Sequence, residues 1–375
     1  MTVAEAGEAA VLEVLSGAAG DVGDDPVGNG DDAAVLGPAD ATVVTTDMLV
    51  EGTHFRLDLT NWRDLGRRAV AQNVSDVLAM GADCSRILVA LAVPGHTEMD
   101  QIAHLAAGIH AEAARSGAVV VGGDLTSAGV VVVGVTAIGT LPRGAAPLRI
   151  DGARPGDRIG LTGLPGRSAA GLALLLAGHP GGDLAAAHRV PHTPIGSGTA
   201  ARRAGASALT DVSDGLLRDL SGLTRASGVT ADLDAAALPV DPGLRRAAVT
   251  LTDGDAGKGK VKGQKQSPGD DDDNAVPAAA VSTHDESDPI ISARVMDWIL
   301  DGGEDHGLLG TFPPGVEVPA EFTLIGTIRE GAPGEVTVDG VARTPGAGTR
   351  RGARTDLPAR RELGWAHGCL RTRRP

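Results

Sequence analysis

Apolar and polar positions follow one another along the chain in a pattern that predicts a mixed α/β fold. Aliphatic and β-branched runs at 41–47, 87–93 and 130–138 predict buried strands. Apolar residues at helical spacing predict helices over 61–80 and 97–116. The resulting order of strands and helices indicates an α/β or α+β domain that ends near residue 145.

A second unit of the same kind follows. Residues 159–162 predict a strand, 169–176 and 216–226 predict helices, and 322–326 and 335–340 predict further strands. The glycine turn at 163–168 has two interpretations, an ordinary strand–helix loop or a loop that contacts phosphate. The pattern therefore predicts two α/β domains.

Residues 253–288 interrupt this pattern with lysines, a run of four aspartates and few large apolar side chains. Such a composition predicts a disordered insertion, and looping out is the interpretation we favour because long surface insertions cost little closure entropy. Within it, residues 254–260 match the P-loop as far as Lys260, but Val261 stands where the Mg²⁺-binding Ser or Thr belongs. We therefore predict no P-loop. Residues 347–375 form a basic tail.

Composition narrows the possible partners. The 375 residues carry a formal net charge of −15, which argues against a nucleic-acid or anionic-membrane partner but not against a phosphate ligand that arrives with Mg²⁺. Two cysteines, an acidic N-terminus and no membrane-length apolar run lead us to expect a cytoplasmic protein.

Five acidic stretches supply the candidate chemistry. They are Gly30-Asp31-Asp32, Thr45-Thr46-Asp47, Asn73-Val74-Ser75-Asp76, Gly122-Gly123-Asp124 and Asp211-Val212-Ser213-Asp214. Each alone is most simply a turn or an element end. Together they would repel one another unless a cation neutralised them, and carboxylates with hydroxyls suit Mg²⁺. The set predicts a multi-metal site for a polyphosphate.

These motifs, with Glu51-Gly52-Thr53-His54-Phe55 and Gly302-Gly303-Glu304-Asp305, come in an order that resembles the thiamine-monophosphate kinases. The resemblance covers roughly 25–250 and 290–340. It implies a two-domain fold like that of aminoimidazole ribonucleotide synthetase. In that superfamily ATP binds without a P-loop and the N-terminal sheet pairs with its copy in a homodimer.

The resemblance also assigns residues and domains. It implies Mg²⁺ ligands at Asp32, Thr45, Thr46, Asp47, Asp76, Asp124, Asp211 and Asp214. It implies ATP contacts at Gly123, Asp124, Arg149 and Ser213, and substrate contacts at His54, Glu304 and Trp365. Residues 1–147 become the ATP- and Mg²⁺-binding and dimerisation domain, and 148–346 the C-terminal α/β domain.

Two departures from the family pattern bear on the substrate site. The family ends in Gly-Trp-Asp-His-Phe, whereas this chain has Gly364-Trp365-Ala366-His367-Gly368. This difference leaves open whether Trp365 packs on the thiamine. The 253–288 insertion has no counterpart in the family and lies between the acidic motif at 211–214 and the turn of Glu304.

The resulting hypothesis is ATP-dependent phosphorylation of thiamine monophosphate to thiamine diphosphate. The acceptor oxygen is already anionic, so the reaction needs Mg²⁺ and in-line geometry rather than a strong base. No Cys–His or Ser–His motif is recognisable, and we predict direct transfer without a covalent nucleophile. The alternatives are a superfamily member with a different small acceptor, and a non-catalytic Mg²⁺–nucleotide-binding protein. Selenophosphate synthetase, another member of that superfamily, would be expected to carry a reactive Cys or selenocysteine near its N-terminus. It is disfavoured because no cysteine precedes Cys84.

Overall fold

The computed structural model describes residues 34–36, 41–258 and 288–346. Two of the expected site residues, Asp32 and Trp365, lie outside these ranges, as do the basic tail and most of the insertion. The side chains of 34–36 and 254–258 are likewise not described.

The first sheet has five strands and is built from the N-terminal part of the chain. Its strands are β1 (Ala34–Leu36), β2 (Thr42–Val50), β3 (Asp83–Val93), β4 (Val119–Ser127) and β5 (Val132–Thr140), in the order β1-β2-β5-β3-β4. The β3–β4 pair is parallel and the other pairs are antiparallel. Helices α1 (Trp62–Ala79) and α2 (Met99–Arg115) belong to the same unit.

Helix α1 contacts both the sheet and α2, so it is almost entirely buried. The side chain of Asn61 caps it by accepting a hydrogen bond from the Asp64 amide. The chain leaves the helix at Gly81, whose φ of 71° is a conformation that favours glycine. Local sequence thus fixes both ends of the helix, and burial of its apolar residues keeps it against the sheet.

The second sheet has seven strands and comes from the rest of the chain. They are β6 (Arg158–Thr162), β7 (Ala208–Val212), β8 (Thr230–Leu233), β9 (Gly307–Phe312), β10 (Phe322–Arg329), β11 (Val336–Val338) and β12 (Val341–Arg343), in the order β12-β11-β8-β10-β6-β9-β7. The helices of this half are α3 (Arg167–Leu176), α4 (Asp183–Arg189), α5 (Ser197–Ala204), α6 (Leu216–Ser227), α7 (Pro242–Lys258) and α8 (Pro289–Asp301). A second apolar core lies between this sheet and its helices.

The two halves meet along α1. Gly198 in α5 lies so close to α1 that an added Cβ would stand 2.0 Å from the Leu78 carbonyl oxygen. Thr199 Oγ1 donates to Asp83 at 2.9 Å, and Arg202 Nε donates to the Gly81 carbonyl at 3.0 Å. The end of α1 is therefore fixed to the C-terminal half by packing and by hydrogen bonds.

The predicted α/β fold class is confirmed, and so is the helix expected over 61–80. Several boundaries were wrong. Strand β2 continues past Asp47 to Val50, and strand β3 begins at Asp83 rather than at 87. The sequence also predicts a Val-rich strand over 118–121, closed by Gly122-Gly123-Asp124, but these three residues lie inside β4. Helix α7 continues to Lys258, five residues beyond the predicted start of the insertion. The division at 147/148 stays a prediction, although the first sheet ends at Thr140 and the second begins at Arg158.

None of the helices within the described ranges is long and apolar enough to cross a membrane.

Candidate active site

Helix α1 brings together several of the predicted acidic residues. Thr45 Oγ1 donates to Asp76 Oδ2 at 2.8 Å, which joins β2 to the last turn of α1. The backbone amide of Asp47 donates to Asn73 Oδ1 at 2.8 Å, and Gln72 Nε2 donates to Asp47 Oδ2 at 3.2 Å. Thr45 and Asp47 therefore face the helix, since side chains on a strand alternate between its two faces.

The same helix also contacts the acidic motif of the second sheet. Ser75 Oγ donates to Asp211 Oδ2 at 2.7 Å, across 136 residues of sequence. Ser213 Oγ donates to the other carboxylate oxygen of Asp211 at 3.2 Å. Asp211 is almost fully buried, and Asp214 is half-buried in the loop that leads into α6. Acidic groups from both halves of the molecule thus converge on one helix.

The turn after α8 is packed against this motif with almost no spare room. The Glu304 amide donates to the Ser213 carbonyl at 2.8 Å, and the His306 amide donates to the Val212 carbonyl at 2.9 Å. A Cβ on Gly303 would stand 2.7 Å from the Ser213 carbonyl oxygen, so glycine is required there. Glu304 and His306 both have positive φ, 69° and 53°, which costs about 1–2 kcal/mol for each residue.

Buried cations balance the carboxylates on this side. Arg68 Nη2 lies 2.7 Å from Glu304 Oε2, and His306 Nδ1 lies 3.2 Å from Asp211 Oδ2. Burial alone would lower the pKa of His306, but its contacts with Asp211 and Glu304 outweigh burial and raise that pKa to about 10. His306 is therefore an imidazolium at neutral pH, with Asp211 on one side and Glu304 on the other.

His188 differs from His306, although it lies nearby. Burial, with the positive charge of Arg68 as the next cause, lowers the pKa of His188 to about 4. Its Nδ1 lies 3.0 Å from Ser168 Oγ, but Ser168 is buried. The contact between neutral His188 and Ser168 is therefore structural. Ser168 is buried, so its hydroxyl is not an exposed nucleophile.

The glycine turn at 163–168 is occupied by a carboxylate of the protein itself. The amides of Gly166 and Ser168 donate to Asp305 at 2.5 and 2.9 Å. The N-terminus of α3 therefore binds an internal anion, as helix N-termini commonly do. This favours the structural interpretation of the turn over phosphate contact.

Two predicted ligands, Thr46 and Asp124, lie on the outer face of the first sheet. Thr46 Oγ1 donates to the Val135 carbonyl at 3.0 Å. Asp124 is in register with Ala90, Gly134 and Met48. That row projects from the face opposite to the side chain of Asp47. Three strand spacings separate Asp124 from β2, roughly 14 Å. A single chain does not bring Asp124 to Asp47.

The remaining predicted contacts lie at the periphery. Arg149 forms a forked ion pair with Asp151, with donor–acceptor distances of 2.8 and 2.5 Å. His54 lies in the loop after β2, and its Nδ1 accepts a hydrogen bond from the Val50 amide at 2.9 Å. Gly123 passes so close to β3 that a Cβ would stand 1.9 Å from the Val89 carbonyl oxygen.

The donor set of α1, β2 and β7 fits Mg²⁺. Carboxylate and hydroxyl oxygens are its preferred ligands, and it usually takes one or two carboxylates with water and phosphate oxygens completing the shell. Over the described residues no group of three or more Asp, Glu, His or Cys side chains is placed so that it could hold one metal ion. A Mg²⁺ ion here would take at most two of these side chains and complete its shell with phosphate oxygens and water.

Sequence reasoning missed three residues that contact the predicted site residues: Arg68, Gln72 and His306. Ser75 stood inside a predicted motif, but its contact with Asp211 was not predicted. The spacing was visible in α1, where polar side chains recur at 68, 72, 75 and 76. That spacing places them on one face. Because the helix also carries Arg63, Asp64, Arg67 and Asn73, the sequence does not distinguish a buried polar face from a solvent-exposed one.

Comparisons with known proteins agree with this geometry. The family model described as AIR synthase related protein, N-terminal domain, matches residues 30–141. The thiamine-monophosphate kinase of Mycobacterium tuberculosis is 40% identical over 349 residues, 92% of each chain.

Solved structures give the same result. The structure described as AaThiL complexed with AMPPCP and TMP has a TM-score of 0.72 and 27% identity, covering 92% of this chain and 97% of its own. The thiamine monophosphate kinase from Aquifex aeolicus has a TM-score of 0.70 and 27% identity, with coverage of 92% and 100%. With a relative this similar over nearly its whole length, the chain belongs to the thiamine-monophosphate kinase family.

Proposed function

We propose that this protein transfers the γ-phosphoryl group of ATP to thiamine monophosphate and forms thiamine diphosphate and ADP. The observation that carries the proposal is the convergence of Asp47 and Asp211, from two different sheets, on the helix α1 that carries Asp76. The 40% identical relative with this name supports the acceptor, and so does the structural neighbour bound to AMPPCP and TMP.

Phosphoryl transfer to thiamine monophosphate does not require a strong general base. A phosphate oxygen of thiamine monophosphate attacks the γ-phosphorus, a new P–O bond forms, and the bond to the β-phosphate oxygen breaks as ADP leaves. The nucleophile is anionic at neutral pH, so the barrier comes mainly from repulsion between phosphates and from alignment. A site rich in carboxylates and poor in bases fits direct transfer without a phosphoenzyme.

Mg²⁺ is part of the proposal. Thr45, Asp47 and Asp76 would hold it on the N-terminal side, and Asp211 with Asp214 on the C-terminal side. When bound, Mg²⁺ offsets the negative charge of the phosphates. The chain's own contribution is to orient these oxygens: Gln72 holds Asp47, and Ser75 holds Asp211.

We further propose a cytoplasmic homodimer. The outer face of the first sheet exposes apolar side chains, among them Met48, Leu88 and Val119 at 56%, 36% and 60%. A contiguous exposed apolar face of this kind is typical of a protein interface. Asp124 and Thr46, which the resemblance assigns to Mg²⁺ and ATP binding, lie on that face. A partner copy would therefore bring its own Asp124 and Thr46 to the edge of the interface. The buried, unpaired thiol of Cys84 is compatible with a reducing compartment.

The test is ADP release from Mg²⁺-ATP with and without thiamine monophosphate, in the wild type, Asp47→Asn and Asp100→Asn. We expect release to require thiamine monophosphate. Asp47→Asn should lower kcat/KM by roughly 100-fold or more, the scale on which removal of one preorganised electrostatic group acts. Asp100, whose side chain is 84% exposed on α2, serves as the matched control and should leave the rate unchanged. ADP release that ignores thiamine monophosphate, or survives in Asp47→Asn, would contradict the proposal.

A further inference from the structure

Arg68 is a buried cation whose acidic partner lies in the other half of the chain. Its Nη2 is 2.7 Å from Glu304 Oε2, 236 residues away, and its side chain is 6% exposed. Within the described part of the chain, Arg68 Nε is buried without a hydrogen-bond partner. A buried guanidinium is tolerated only where an anion compensates it. The carboxylate of Glu304 therefore compensates the buried charge of Arg68.

Glu304 is constrained from two sides. Its backbone adopts a φ of 69° in a turn that Gly303 packs against Ser213. Its carboxylate lies between Arg68 and His306, whose Nε2 is 3.6 Å from Glu304 Oε2. The turn fixes the position of the Glu304 backbone, and the two cations fix the position of its carboxylate.

Helix α1 relates this carboxylate to the metal-binding side of the site. Arg68 and Asp76 are eight residues apart on one helix, roughly 12 Å at the helical rise. Gln72, between them, contacts Asp47, and Asp76 contacts Thr45. The position of Glu304 relative to the N-terminal carboxylates is thus set by one rigid element.

We propose that Arg68 is a positioning residue that orients Glu304 toward the thiamine end of the acceptor. The inference rests on the proposed function, and it takes Glu304 as the acceptor contact that the family resemblance implies. Arg68 itself touches neither the acceptor nor the nucleotide in this account. Its loss should therefore weaken acceptor binding and leave nucleotide binding intact.

The primary variant is Arg68→Met, which keeps the aliphatic length and removes the charge. We expect the KM for thiamine monophosphate to rise at least tenfold while the KM for ATP stays within twofold. Arg68→Lys restores a cation and should bring the KM for thiamine monophosphate within about threefold of wild type. General destabilisation would not separate the two substrates in this way.

The chain supplies a matched control in Arg67. This neighbour on α1 pairs with Glu112 of α2 at 3.0 Å, away from Glu304. Arg67→Met should leave both KM values within twofold. If it raises the KM for thiamine monophosphate as much as Arg68→Met does, the specific role of Arg68 is wrong.

A double variant protects the test against misfolding. Arg68→Met leaves Glu304 without its cation, whereas Arg68→Met with Glu304→Gln removes both charges together and avoids an uncompensated ion. If Arg68 acts through Glu304, the double variant and Glu304→Gln alone will share one KM for thiamine monophosphate. A further rise in the double variant, or an unchanged KM in folded Arg68→Met, overturns the inference. Failure of the wild type to turn over with thiamine monophosphate would instead refute the proposed function.

Discussion

Asp305 caps helix α3 from a distant turn, and its environment sets two effects against each other. Burial raises its pKa to about 6 from an ordinary value of 3.8, although the amides of Ser168 and Gly166 and the charges of His306 and Arg167 all favour the carboxylate. At neutral pH Asp305 is therefore ionised, but it carries a desolvation cost. The two amide hydrogen bonds hold this carboxylate in place, and the cost of burying its charge lowers the stability of the fold when it deprotonates.

The sign of this effect gives a prediction. Because the folded-state pKa exceeds the unfolded one, the folded protein retains a proton between about pH 4 and 6 that the unfolded chain loses. Stability from this group is therefore complete at low pH and falls as pH rises to about 6. We expect the unfolding free energy of wild type minus that of Asp305→Asn to fall by about 2 kcal/mol between pH 4 and 7.

Urea unfolding at four pH values in this interval measures that difference. Asp100→Asn, on the exposed surface of α2, controls for the loss of one carboxylate. A wild-type-minus-Asp305→Asn difference that stays constant with pH would show that Asp305 does not titrate as described.

Residue identity could be predicted from sequence where the chemistry lies in a motif. Asp47, Asp76 and Asp211 could be proposed as site residues because each stands in an acidic stretch. Arg68 and His306 were not, since their roles depend on partners more than 90 residues away. Asp124 shows the converse: its motif was recognised, but its face of the sheet depends on strand register.

At the scale of elements, α1 is the part of the molecule on which the site depends, and two glycines set its position. A Cβ on Gly66 would stand 2.2 Å from the Leu105 carbonyl oxygen, and one on Gly108 would stand 2.0 Å from the Arg63 carbonyl oxygen. The backbones of α1 and α2 are therefore in direct contact. This closeness could not be inferred from periodicity, which gives the buried face of each helix but not their separation.

Gly66→Ala tests this packing. In an open helix the change would stabilise by about 1 kcal/mol through helix propensity. Here we expect destabilisation of about 1–3 kcal/mol, because the methyl group forces the two backbones apart. Urea unfolding measures it, with Gly95→Ala, where a Cβ would meet nothing within 4 Å, as the control. Equal stability of Gly66→Ala and wild type would contradict the close helix contact.

At the scale of the whole molecule, two α/β units and their order were predictable from the alternation of strand and helix patterns. The strand order of the second sheet was not, because β8, β10, β6 and β9 are neighbours through pairings that cross most of the C-terminal half. Short helices such as α4 and α5 were missed for a related reason. Their few turns carry too little periodicity, and tertiary packing stabilises them.

The exposed outer face of the first sheet leads to a prediction about assembly. Val119→Asp places a charge on this face and should convert the proposed dimer to a monomer, since an unpaired charge buried at an interface is costly. Light scattering after size-exclusion chromatography reports the mass. Val341→Asp, at an equally exposed valine on β12, should leave the dimer intact. A monomeric wild type, or a dimeric Val119→Asp, would refute the interface.

The central claim is that phosphoryl transfer from ATP to thiamine monophosphate is direct. A single-turnover experiment with excess enzyme, Mg²⁺ and ATP labelled in its γ-phosphate follows the label through rapid quenching. The account predicts that label enters thiamine diphosphate at the rate at which ADP forms, with no labelled protein preceding it. Label that appears on the protein and decays at the catalytic rate, or ADP formed without labelled thiamine diphosphate, would contradict it.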